Sequence, residues 1–113
     1  MNWIPLTSES QLEEIITESN ETPVIIFKHS TRCSISTTAL NRLERNWKAD
    51  EIGPIKTYYL DLLSYRPVSA KIESLLHVEH QSPQAILLQN GKSIWDASHY
   101  DIQFESIRKK LGK

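Results

Sequence analysis

One side chain in this chain of 113 residues combines nucleophilicity with ready ionisation near neutral pH, and it is the only cysteine, Cys33. A thiol attacks as its thiolate, so what precedes and follows it decides whether it is reactive. The segment Phe27-Lys28-His29-Ser30-Thr31-Arg32-Cys33-Ser34-Ile35-Ser36 runs from a β-branched apolar stretch through a polar turn into a helical pattern. That places Cys33 at the first turn of a helix, where unpaired N–H groups and the positive end of the dipole favour an anion. Lys28, His29 and Arg32 add positive charge close by in sequence, and strand alternation decides which of them face the sulfur. A lone cysteine is also among the residue types most often buried for packing alone. The strand, turn and helix context favours the reactive reading.

Ser36 stands three residues beyond Cys33, the place of the resolving cysteine in a dithiol oxidoreductase. An internal disulfide is therefore excluded, and a mixed disulfide formed on Cys33 must be resolved by another thiol. Two roles are open to Ser36: a hydrogen bond to the Cys33 thiolate from one helical turn on, or a bond to helix backbone or solvent. Ser82-Pro83 precedes a third apolar run, where a cis bond would leave the Ser82 backbone free for an extended substrate; taken alone, an X-Pro bond is far more often trans. His77, His80 and His99 have no partner at metal-ligand spacing and read as surface or capping residues, so no metal site is expected. Asp61, at the end of a strand-like segment, either tunes a neighbouring group or caps the turn that follows.

The elements that must position these residues follow from periodicity. Leu12, Ile15 and Ile16 share a helical face over about 8–19, with Thr7 or Ser8 as N-cap. Val24 to Phe27 reads as a central strand buried on both faces. Ile35, Ala39, Leu40, Leu43 and Trp47 mark a long amphipathic helix. Gly53-Pro54 precedes a second central strand over Ile55 to Leu62, and Val68, Ile72, Leu75 and Leu76 give a helix with Pro67 in its first turn. Ala85 to Gln89 and Lys92 to Ala97 flank Asn90-Gly91, the signature of a type I′ hairpin. Phe104, Ile107 and Leu111 close the chain with a helix whose Arg108, Lys109 and Lys110 suit its C-terminal end. The order α-β-α-β-α-β-β-α predicts an α/β fold: a central mixed four-stranded sheet with helices on both faces.

The totals limit the alternatives. At 13.1 kDa, one domain over residues 1–113 is expected, because neither half would bury enough apolar area by itself. A formal net charge of -1 argues against a nucleic-acid partner. No apolar run approaches the roughly 20 residues of a membrane span, and Met1 to Pro5 lacks the features of a signal peptide, so the cytoplasm is the expected location. Residues 1–23 hold five Glu and no Lys or Arg, whereas 24–48 hold Lys28, Arg32, Arg42, Arg45 and Lys48 against Glu44 alone. The cysteine lies in the positive stretch. Trp3, Trp47 and Trp95 read as packing residues, since no basic residues interleave with them.

The segment Phe27 to Ser36, together with Ser82-Pro83-Gln84 and Ala97-Ser98-His99, resembles the monothiol bacilliredoxin family over nearly the whole chain. The resemblance implies a thioredoxin-like fold and removal of a low-molecular-weight thiol, bacillithiol or a similar one, from mixed disulfides on proteins. It makes Cys33 the nucleophile and Pro83 a cis-proline facing it. Ser36 joins Cys33 as a catalytic position, and Thr31, Arg32, Ser82 and Pro83 become the expected substrate-binding positions. The partners implied are proteins carrying mixed disulfides and the small thiol itself, which enters as co-substrate with no bound cofactor. Family members commonly have proline directly after the cysteine, where this chain has Ser34, a change that bears on the helix start and on redox poise. A non-catalytic binding or redox-sensing module is the alternative. Cluster binding ranks last, because the glycine and phenylalanine of the Cys-Gly-Phe-Ser motif are absent.

Overall fold

The computed structural model describes all residues, 1–113. Five strands form one sheet in the order β1-β3-β2-β4-β5. They are β1 (Ile4–Pro5), β2 (Val24–His29), β3 (Lys56–Asp61), β4 (Gln84–Gln89) and β5 (Lys92–Ser98). The first three run parallel, and β4 and β5 are antiparallel to their neighbours. This mixed sheet is the predicted one with a strand added: five strands replace the expected four. The extra strand pairs Ile4 with Tyr58 and Pro5 with Tyr59 at the edge, where proline costs no ladder hydrogen bond on its outer side. Two residues carry no periodicity, which is why the pattern did not announce it.

All residues of β2 are buried, as a strand covered on both faces requires. Alternation splits them cleanly. Val24 and Ile26 pack with Leu12, Ile15, Leu60, Ile72 and Ile86 beneath α1 (Glu9–Glu18) and α4 (Arg66–Leu76). Ile25 and Phe27 pack with Ala39, Leu43, Ile52, Phe104 and Ile107 beneath α2 (Ser34–Asn46), the short α3 (Ala49–Ile52) and α5 (Phe104–Lys110). The sheet thus carries helices on both faces. Ser8 caps α1 by accepting from the Gln11 N–H, and Pro67 lies in the first turn of α4. Asn90 and Gly91 adopt φ of 55° and 76°, the left-handed pair that a type I′ hairpin needs.

This topology brings two chain segments to one end of the sheet. The C-terminal end of β2 leads into the turn before α2, and antiparallel β4 begins beside it, with Lys28 opposite Gln84. Cys33 and the Ser82-Pro83 bond, fifty residues apart in sequence, are delivered to the same end of the sheet.

Candidate thiol site

Cys33 is the N-cap residue of α2, with extended φ and ψ of -112° and 117°. The helix itself starts one residue later, at Ser34. The Cys33 N–H donates to the Ser30 carbonyl at 3.1 Å, closing the turn Ser30 to Cys33, and the Cys33 carbonyl accepts from Thr37 N–H at 3.2 Å. The thiol is free and the residue half-buried, neither sunk in the core nor partway along the helix. The N–H groups of Ser34, Ile35 and Ser36 have no carbonyl partner within the chain, so the first turn presents unsatisfied donors at the end where the sulfur lies. Serine at position 34 adds one such N–H that a proline there would lack.

Ser36 is fully buried and turned inward. Its Oγ accepts from the Ser30 N–H at 3.1 Å and lies 2.7 Å from His29 Nδ1, with no hydrogen bond to the Cys33 sulfur. With the backbone donating to the oxygen, the hydroxyl proton is free to go to a neutral His29 accepting at Nδ1. The bonds of Ser36 are neither to the sulfur nor to helix backbone or solvent: they tie the end of β2 to the first turn of α2 across the reactive turn. Replacing it by alanine strands a backbone donor and an imidazole nitrogen together. Ser36→Ala is expected to lower unfolding free energy by about 1–3 kcal/mol, read from urea denaturation.

Lys28 and His29 behave differently from the positive neighbours that sequence proximity suggested. His29 is buried against Tyr59, with ring centroids 5.5 Å apart; burial pushes its pKa down, and the Asp61 carboxylate opposes this. It is therefore kept neutral. Lys28 is wholly buried and points to the opposite face of the sheet from α2; burial pulls its pKa from 10.5 down to about 8, with Glu73 opposing. Neither supplies a full charge beside the sulfur. Thr31 and Arg32 do sit where expected, exposed in the turn and without a hydrogen bond or ion pair inside the chain. Arg32 is thus the cation of this turn that has no partner inside the chain.

These shifts act on stability in the same direction, each over its own range of pH. Folding holds the protons of Lys28 and His29 more weakly than the unfolded chain does. Stability therefore rises with pH from about 8 towards 10.5, the interval over which only the unfolded Lys28 remains protonated. It falls as pH drops through the ordinary histidine value of 6.5, where the unfolded His29 and His80 begin to charge and the folded ones resist. Urea midpoints measured from pH 5 to 10 should show both limbs. The alkaline limb should vanish in Lys28→Met and the acid limb should shrink in His29→Asn, whose amide keeps an acceptor near the Ser36 hydroxyl.

At the same end of the sheet, the Ser82-Pro83 bond is cis, and Pro83 is buried, its carbonyl accepting from His99 N–H at 3.2 Å. The N–H, C=O and Oγ of Ser82 all lack partners inside the chain, and its Oγ is itself shielded from solvent. Polar groups with no internal partner are where a bound chain can supply one. A small groove of about 80 Å³ flanks the helix start, lined by Ser34, Ile35, Thr38, Arg42, His99 and Tyr100. Arg42 closes its floor by donating to the carbonyls of His99 and Ile102. The largest hollow, about 610 Å³ around Trp47 and Gly53, lies at the opposite end of the sheet and contains no thiol or imidazole. Asp61 does both things open to it: its carbonyl accepts from the N–H groups of Ser64 and Tyr65 and its Oδ2 from the Ser64 hydroxyl, while its carboxylate acts on the neighbouring His29 and Tyr59. His77 caps α4 with φ of 55°. His80 is the histidine whose role the sequence hid, since its partner Lys28 lies 52 positions away.

The model of the monothiol bacilliredoxin BrxC family matches residues 4–107. The chain belongs to this family. A solved protein described as an oxidoreductase candidate with a thioredoxin fold superposes on this bacilliredoxin with a TM-score of 0.80 and 31% identity, covering 95% of this chain and 91% of that one. Thioredoxin from Trypanosoma brucei brucei matches at 18% identity and a TM-score of 0.75, over 98% of this chain and 88% of its own. Oxidised thioredoxin from Plasmodium falciparum matches at 16% and 0.74, over 99% and 100%. The last two establish the thioredoxin fold. Family membership with this fold supports a thiol oxidoreductase role for this bacilliredoxin, in which a single cysteine is present. No helix is long and apolar enough to cross a membrane.

Proposed function

We propose that this protein is a monothiol oxidoreductase that removes a low-molecular-weight thiol, bacillithiol or a close analogue, from mixed disulfides on other proteins in the cytoplasm. The Cys33 thiolate attacks the small-thiol sulfur of the mixed disulfide. A new S–S bond forms between Cys33 and the small thiol, and the protein's sulfur leaves with the electron pair and takes up a proton. A second molecule of small thiol, as thiolate, then attacks the adduct, restoring the Cys33 thiolate and departing as the symmetric disulfide. The net change converts one protein mixed disulfide and one free small thiol into one protein thiol and one symmetric small-thiol disulfide, an exchange that balances without a bound metal or prosthetic group.

The observation that carries this reading is the placement of one half-exposed thiol at the unsatisfied N-terminal end of α2, at the end of the sheet where the unpaired backbone of Ser82 also lies. The helix amides favour the thiolate as attacker and as leaving group. Ser82 would pair with the extended segment around the disulfide, Pro83 would hold that backbone in place, and Thr31 and Arg32 would meet the polar parts of the small thiol. Ser36 would act by fixing the turn that carries Cys33. The test is multiple-turnover reduction of a purified protein–bacillithiol mixed disulfide with free bacillithiol in excess. Many equivalents of freed protein per enzyme are expected. One equivalent followed by arrest would instead identify a sensor that is modified once.

A further inference from the structure

The substrate-facing strand entrance is held from the back of the sheet. Lys28 Nζ, at the end of β2, lies 2.6 Å from His80 Nδ1 and 3.3 Å from Gln84 Oε1. Gln84 Oε1 also accepts from the Gln81 N–H at 3.3 Å, and Gln84 Nε2 donates to the Glu79 carbonyl at 3.0 Å. His80 N–H donates to Glu73 Oε2 on α4 at 2.7 Å. Lys28 and Gln84 are both fully buried, and they are cross-strand partners. The whole connection from Glu79 to Gln84, which contains Ser82 and Pro83, thus converges on one buried ammonium group. An apolar residue at position 28 would satisfy the core as well as its neighbours Val24 and Ile26 do, so packing gives no reason for a lysine there.

We propose that Lys28 is a positioning residue for the redox site, setting the 79–84 connection through His80 and Gln84 so that the Ser82 backbone meets the substrate in one conformation. The inference rests on Ser82 being the substrate-facing segment. It assigns Lys28 no contact with the sulfur, from which the sheet separates it. An ammonium group with three donors is well matched to this role, because the acceptors it faces come from two points of the same connection and burial strengthens each bond. Burial lowers its pKa to about 8, so an ammonium group held at this place carries a desolvation cost.

Three variants test this. Lys28→Met removes the donor at similar length, His80→Leu removes one acceptor from an exposed side chain, and His80→Asn returns an acceptor near the Nδ1 position. Amide hydrogen exchange over residues 79–84, which requires no redox activity, is read beside KM and kcat for the mixed disulfide and the rate at which iodoacetamide alkylates Cys33. Lys28→Met and His80→Leu are expected to speed exchange and to raise KM by about tenfold, with kcat and alkylation within about twofold of wild type and His80→Asn close to wild type. Unchanged exchange overturns the proposal, as does faster exchange without a rise in KM, or a parallel loss of alkylation rate and kcat. If the unaltered protein shows no turnover at all, the proposed function fails, and exchange with the alkylation rate still decides whether Lys28 sets this connection.

Discussion

Cys33→Ser is expected to abolish turnover of a protein mixed disulfide while leaving the fold intact. The hydroxyl is not ionised near neutral pH and cannot form the S–S bond that stores the small thiol between the two exchanges. No other cysteine exists to rescue a partial reaction. The change swaps one atom in a half-exposed N-cap whose side chain makes no capping bond, and serine is a favoured N-cap residue. Stability should therefore shift by no more than about 0.5 kcal/mol. A variant that folds normally by circular dichroism and retains measurable turnover would remove Cys33 from the chemistry.

Phe27→Ala should be the most damaging substitution outside the thiol. Phe27 is wholly buried in β2, with its ring 6.0 Å from Trp3 and 6.2 Å from His29. It lies in the same apolar layer as Ala39 and Leu43 of α2, and so supports the helix whose first turn presents Cys33. Truncation to alanine in such a site costs about 3–5 kcal/mol, a large share of the 5–15 kcal/mol that small domains possess. A fall in Tm of roughly 10–25 °C is expected by calorimetry. A loss below about 1 kcal/mol would mean that the layer under α2 closes without this ring.

The parts of the fold written in strong local patterns were legible in the residues themselves. Val24 to Phe27 could only be a strand covered on both faces, Ala39 and Leu43 bury one side of α2 although Ile35 of the same stripe is exposed and Trp47 lies just past the helix, and Asn90-Gly91 required the positive φ values it adopts. The edge strand Ile4–Pro5 and the single turn Ala49–Ile52 were missed because a few residues cannot display a period. Within the site, position came through better than partnership. Cys33 at a helix start follows from the flanking patterns, yet the end of β2 runs two residues further than the apolar run suggested, taking in Lys28 and His29. Their burial is a tertiary fact. Polar residues enter a strand's covered end only when distant groups satisfy them, here Ser36 for His29, and His80 with Gln84 for Lys28. Nothing local announces partners 52 and 56 positions away. The cis state of Ser82-Pro83 likewise belongs to the assembled end of the sheet, since the dipeptide alone favours trans.

Transfer of the small thiol onto Cys33 can be followed by mass. The protein is mixed with one equivalent of a purified protein–bacillithiol disulfide in the absence of free thiol, quenched by acid and weighed intact. Attack at the small-thiol sulfur requires that the substrate lose the mass of bacillithiol while this chain gains it on Cys33, as peptide mapping would show. A disulfide joining the two proteins as the sole product, or no transfer at all, would contradict that mechanism.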